Sequence, residues 1–269
     1  MNMSAVSTLH SLLEHLLPTH IVPLAQGRVR RDCLGLGLPS RRTALGNRFT
    51  LISRLDEAVD LQSVYTELRA QALNGSVTVL TDLGWLWLNG TYWQANPLLA
   101  RRLFRLAGRQ GDATAWFNLA EQAYVGRGVE VSHAEAARCY EHAFEAGMDR
   151  AAAALGDLFE EGWPSMPFPR SAPSMAYRWF LRGAQRGEAR CRFEVGRRLL
   201  QGTQVELDVK AGLYWLELAA AGGVVQAAEA LTVYFAQGDG APYRHWRDHA
   251  ILLGSRLALG LKLRDQVRC

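Results

Sequence analysis

The chain has 269 residues, 49% of them apolar and 21% charged, with a formal charge of +4 and a pI near 9.0. Apolar residues are too plentiful for a disordered chain, and the four cysteines are too few for a disulfide scaffold. No run approaches the roughly 20 uninterrupted apolar residues of a membrane span; the best stretch, residues 251–261, is short and contains Arg256.

The first twenty residues have no Lys or Arg ahead of their apolar stretch, and Glu14 interrupts it. This is not the layout of a secretory signal. It predicts a short amphipathic helix, capped by Ser4 or Ser7 and ending near Pro18. An arginine-rich arm follows, over roughly residues 27–48. The first fifty residues hold Arg28, Arg30, Arg31, Arg41, Arg42 and Arg48 against Glu14 and Asp32, which accounts for the whole positive excess of the chain. Nucleic-acid binding would call for aromatics interleaved with these charges, and only Phe49 is near. Membrane binding would call for a basic amphipathic helix, which Gly35, Gly37 and Pro39 oppose. An acidic protein partner is the least demanding ligand for the arm, and docking onto an acidic helix of the same chain is the plain structural alternative. Cys33, Cys139, Cys191 and Cys269 show no CxxC pairing, which suits a reducing cytosol.

Repetition becomes clear after residue 76. Gly90, Gly126, Gly162, Gly202 and Gly238 are spaced 36, 36, 40 and 36. Seven residues before each stands Leu83, Leu119, Leu155, Val195 or Leu231, followed by a small residue: Gly84, Ala120, Gly156, Gly196 or Thr232. Apolar residues at helical spacing, a small residue for close approach and a closing Gly predict a first helix. A second helix follows in residues 100–111, 136–147, 176–187 and 211–222, each segment starting with Ala and ending with Gly. The one period of 40 holds Pro164, Pro167, Pro169 and Pro173, so its inter-helix segment is irregular. One hairpin cannot bury its apolar stripe alone, and stacking supplies the partner. The expected organisation is an N-terminal helix and basic arm (1–40), a degenerate first repeat (41–75), a solenoid (76–240) and C-terminal capping helices (241–269).

These residues resemble the SLR (Sel-one-like repeat) family, relatives of tetratricopeptide repeats. The second repeat carries the pattern in Ala115, Leu119, Ala120, Gly126, Gly128, Val129, Ala136, Tyr140 and Gly147. The fourth carries it in Val195, Gly196, Gly202, Asp208, Lys210, Ala211, Trp215, Ala219 and Gly222. The G-x-G-V loop is intact only at 126–129; at 89–93 it has drifted to NGTYW. The resemblance implies an all-α fold, a right-handed superhelical α-solenoid of stacked antiparallel hairpins. It also implies a non-enzymatic, cytoplasmic role holding a protein partner. Bacterial members include signalling scaffolds, exopolysaccharide-export parts and immunity proteins. The specific expectation is therefore an immunity protein, adaptor or chaperone for a secreted toxin, effector or secretion component. The alternatives are a signalling or assembly adaptor, and a regulator that binds nucleic acid or another anion through the arm.

In tetratricopeptide-like proteins the first helix of each hairpin lines the concave face. The resemblance so implies partner-binding positions at Trp85, Phe117, Glu121, Tyr124, Arg150, Asp157, Glu160, Arg190, Phe193 and Arg197. The phenylalanines packing between hairpins, and the charges pairing with one another, are the structural alternatives. Chemistry is not indicated. His245 and His249 are spaced for zinc, but no third ligand is evident, and neither a P-loop nor a G-x-S-x-G motif is present. No metal and no cofactor are expected.

Overall fold

The computed structural model describes residues 3–24, 51–56, 58–162, 173–236 and 240–268. The basic arm and the proline-rich segment 163–172 lie outside these. The chain divides into two compact units, Met1–Met148 and Asp149–Cys269. Fourteen helices are present among the described residues, and consecutive helices pack as antiparallel pairs. The expected all-α hairpin stack is what each unit contains.

Unit 1 runs α1 (Met3–Leu16), α2 (Leu51–Asp56), α3 (Leu61–Leu73), α4 (Val77–Asn89), α5 (Pro97–Arg109), α6 (Ala113–Val125) and α7 (His133–Glu145). Local chemistry sets the ends. Asp112 caps α6 by accepting from Thr114 N at 2.8 Å and Ala115 N at 3.3 Å, and Asn96 caps α5 ahead of Pro97. Gly126 closes α6 at φ 75° and ψ 32°, a left-handed conformation that a side chain disfavours. Gly162, expected to do the same, instead closes its helix at φ 65° and ψ 171°. The small residue of each first helix lets the second helix approach: a Cβ on Gly84 would stand 2.6 Å from a ring carbon of Phe104.

The N-terminal helix is built into this unit. It starts at Met3, ahead of both expected caps, and packs against α3 with Leu13 and Leu17 buried. His10 Nδ1 lies 2.9 Å from the Leu73 carbonyl, and the Tyr65 hydroxyl donates to the Pro18 carbonyl at 2.6 Å. Residues 22–24 then run antiparallel to residues 92–94, with Leu24 N donating to Tyr92 O and Gln94 N to Val22 O, each at 3.0 Å. The drifted NGTYW loop thereby supplies an anchor. Trp93 is fully buried, edge-on to Tyr65 and Trp87 with centroids 5.6 Å away in each case.

Unit 2 runs α8 (Ala151–Glu161), α9 (Pro173–Gln185), α10 (Ala189–Gln201), α11 (Val209–Ala221), α12 (Val225–Phe235), α13 (Ala241–Leu252) and α14 (Arg256–Arg268). Its C-terminal core is built from small residues and leucines: Leu216, Ala219, Ala220, Ala227, Ala228, Leu231, Ala250 and Ala258. Alanine at the crossings allows near backbone approach, and burial of the leucines supplies the apolar stabilisation. Arg247 fastens α13 to α14 by donating to Asp265 Oδ2 at 2.7 Å.

Candidate functional site

The first helices of the hairpins are α4, α6, α8, α10 and α12. In unit 1 the expected row of anchors meets a closed surface at α4. Every side chain from Val79 to Asn89 is buried, and Trp85 is 3% exposed. Trp85 is thus a core residue and not an open anchor. The physical reason is that α4 is enclosed along its length, whereas a helix lining a groove keeps one face in solvent. Phe117 is also buried, with its ring 5.3 Å from Tyr140 in an edge-on arrangement. Glu121 accepts a hydrogen bond from the Tyr140 hydroxyl. Tyr124 is half-buried and edge-on to His133 at 5.5 Å. Of the four positions in this unit, Glu121 and Tyr124 keep part of their surface open.

In unit 2 the expected charges find each other. Arg190 donates to Asp157 at 2.8 Å. Burial pushes the Asp157 carboxyl above its ordinary range, and Arg190 offsets this only in part. Glu160 accepts from Arg198, which also holds Glu194, and Arg197 donates to Glu194 at 3.0 Å. Burial works against ionisation of Glu194, but the two arginines outweigh it and hold its pKa below the usual value. Phe193 is half-buried and packs against the unit's C-terminal core. Arg150 is exposed. The arm residues Arg28, Arg30, Arg31, Arg41 and Arg42 lie outside the described residues.

Arg198 is the residue sequence reasoning misses. It is 1% exposed and lies with its guanidinium 4.5 Å from the Phe180 ring centroid. Its register, three after Val195, corresponds to Leu86 and Leu158 in other repeats, both buried. That correspondence marks position 198 as core. An arginine there requires acceptors, and Glu194 one turn earlier is the visible one.

Burial masks the two described cysteines, Cys139 and Cys191. The Cys139 thiol is pushed up to about 11, mainly by desolvation, and desolvation raises Cys191 too. Neither supplies a thiolate near neutral pH. His245 and His249 stack with parallel rings 6.4 Å apart, and His249 Nε2 lies 3.3 Å from the Ala220 carbonyl. Among the described residues no group of three His, Cys, Asp or Glu could hold a metal ion, and no helix is long and apolar enough to cross a membrane.

Stacked antiparallel hairpins with a small residue at each crossing define a helical-repeat protein. The chain belongs to the Sel1 repeat family: the Sel1 repeat model matches residues 80–112, 114–148, 149–188 and 189–224, more than half of its length. Among solved structures it is similar to a Sel1 repeat protein from Oxalobacter formigenes, with 25% identity and a TM-score of 0.58 over 74% of this chain and 83% of that one. It is also similar to c5321, a protective antigen of uropathogenic Escherichia coli displaying an SLR fold, with 19% identity and a TM-score of 0.59 over 73% of this chain. The chain spans 43% of that antigen's length. The immunity protein PA5088 from Pseudomonas aeruginosa aligns at 12% identity with a TM-score of 0.44 over 77% of this chain and 81% of that one, a likeness too low to bear on role. No curated protein matches the sequence.

Proposed function

We propose that the chain is a non-enzymatic scaffold that holds one protein partner, and that the partner is a secreted toxin, effector or secretion component, with the chain acting as its immunity protein, adaptor or chaperone. The observation that carries the coarser reading is the run of four Sel1 repeats. Their repeated residues are consumed in hairpin packing, and the positions between them are free to vary for recognition. The narrower reading extends the family resemblance to this chain. Partner contacts are assigned to Glu121 and Tyr124 in unit 1, and to Arg150, Arg190, Phe193 and Arg197 with the paired carboxylates Asp157 and Glu160 in unit 2. The protein acts in the cytoplasm, where its buried cysteines stay reduced.

Two experiments separate the levels. Chain purified from its source at physiological salt carries a second protein in stoichiometric amount if it is a scaffold; its recovery alone opposes the reading. Expression of the protein encoded beside it in a neutral host, with and without the chain, tests immunity. Growth arrest relieved only by the chain is the expected result, and arrest that the chain leaves untouched removes the immunity version.

A further inference from the structure

Away from the first-helix positions, the second helices of unit 1 form an arginine-lined slot. It has a volume of about 180 Å³ and lies between α5, α6 and α7. On α5, Arg105 and Arg109 line the slot, and Arg101 lies one turn before them on the same face. On α7, Arg138 and His142 border the slot from the other side, with Glu135 at one end. Glu135 is already committed: it pairs with Arg101 and accepts from Arg105 at 2.8 Å. Burial opposes its ionisation, but the two arginines outweigh that and hold its pKa low. Arg101 still leaves Nη1 buried without an acceptor. Arg109 and Arg138 are exposed, and neither makes an ion pair among the described residues. Glu141, one turn beyond Arg138, is not paired with it either.

The floor of the slot is aromatic. A Cβ on Gly108 would stand 2.7 Å from Trp116, so only glycine there lets the indole lie against α5. The His142 ring covers Trp116 with centroids 4.7 Å apart and planes 30° from parallel. Cys139 closes the floor as a buried, protonated thiol. The slot presents unspent guanidinium forks beside a flat apolar surface.

We propose that this slot binds the carboxylates of an acidic segment on the protein partner, an inference that rests on the scaffold reading and names the partner's chemistry. Guanidinium forks match carboxylates in two-point geometry. The Trp116–His142 floor accepts the methylene stems of glutamate side chains. Tryptophan beside arginine is the composition that concentrates binding energy at protein interfaces. Only two arginines of the slot, Arg109 and Arg138, are left without an acid among the described residues, which suits a short acidic protein segment better than a nucleic-acid backbone needing a longer run of cations.

The test uses the full chain and a fluorescent hexaglutamate, with hexaglutamine as the neutral control. Hexaglutamate binds saturably, hexaglutamine does not, and affinity falls as salt rises from about 50 to about 300 mM. Replacing both free arginines (Arg109→Ala with Arg138→Ala) weakens binding about tenfold or more, with an unchanged circular-dichroism melt because neither side chain holds the fold. Arg102→Ala, which removes an α5 charge outside the slot, changes affinity less than about twofold. Equal binding of the two peptides, or no effect of the double variant, overturns the proposal. Displacement of hexaglutamate by inorganic phosphate at equal concentration makes the slot a general anion site and also overturns it, as does tighter, slot-dependent binding of an oligonucleotide. Purification from the source with the double variant separates the two readings. If wild type and variant recover the same stoichiometric partner, the slot proposal fails and the scaffold stands. If no partner is recovered while slot-dependent peptide binding persists, the scaffold reading fails and the slot stands.

Discussion

Asp82 offers a test of how unit 1 is packed. It is 7% exposed, and its Oδ1 is buried with no hydrogen-bond partner. Burial, with a smaller contribution from the Asp112 charge, raises its pKa from 3.8 to about 7. Asp112 cannot relieve it, because it caps α6 and accepts from Thr81 Oγ1 at 2.6 Å. The sign follows from linkage. Between about pH 4 and pH 7 the folded chain retains a proton that the unfolded chain has lost, so stability falls as pH rises through that window. The penalty is complete above pH 7 and absent below the unfolded value. A shift of this size corresponds to at most about 4 kcal/mol, and relaxation around the carboxylate reduces it. Asp82→Asn removes the ionisation and should therefore stabilise the protein by about 1–3 kcal/mol at pH 8, and by almost nothing at pH 4. Urea unfolding of both proteins across this range, followed by tryptophan fluorescence, reads the difference from the midpoint at constant slope. A difference independent of pH, or a variant less stable at pH 8, refutes the reasoning.

Other substitutions probe the rest of the account. Trp93→Ala removes the fully buried centre of the cluster with Tyr65 and Trp87 and should destabilise unit 1 by about 3–5 kcal/mol in the same unfolding assay. Arg198→Ala leaves Glu194 and Glu160 without their shared partner; because both carboxylates keep some access to water, the expected loss is about 2–4 kcal/mol. Arg190→Ala combined with Arg197→Ala removes more exposed ion pairs, so stability should move by less than about 1 kcal/mol. The same pair should weaken the partner complex about tenfold or more by titration calorimetry if the first-helix positions carry recognition.

The repeats were readable because their signal is local and recurrent. The spacing of Gly90, Gly126, Gly162 and Gly202, with a small residue six places before each, reports helix ends and helix crossings, and both are set by nearby chain. The pairing of Asp157 with Arg190 was also visible as an alternative, since both positions fall on first helices of adjacent hairpins. What was not readable depends on distant chain. Trp85 occupies a register that in another repeat would be open, and its burial follows from the enclosure of the whole of α4. Trp93 looks like a degenerate loop residue until residues 22–24 pair beside it. The arginine slot has half its signal in the four-residue spacing of Arg101, Arg105 and Arg109. The other half is the absence of enough acid opposite, and only the ion pairs of Arg101 and Arg105 with Glu135 show that this acid is already spent.

The central claim is that the chain works by holding one protein. A native mass spectrum of tagged chain, purified gently from its source, tests this most directly. The expected spectrum is dominated by a species whose mass is that of the chain plus one further protein. A spectrum containing only the free chain, or the chain with substoichiometric and changing companions, would contradict it.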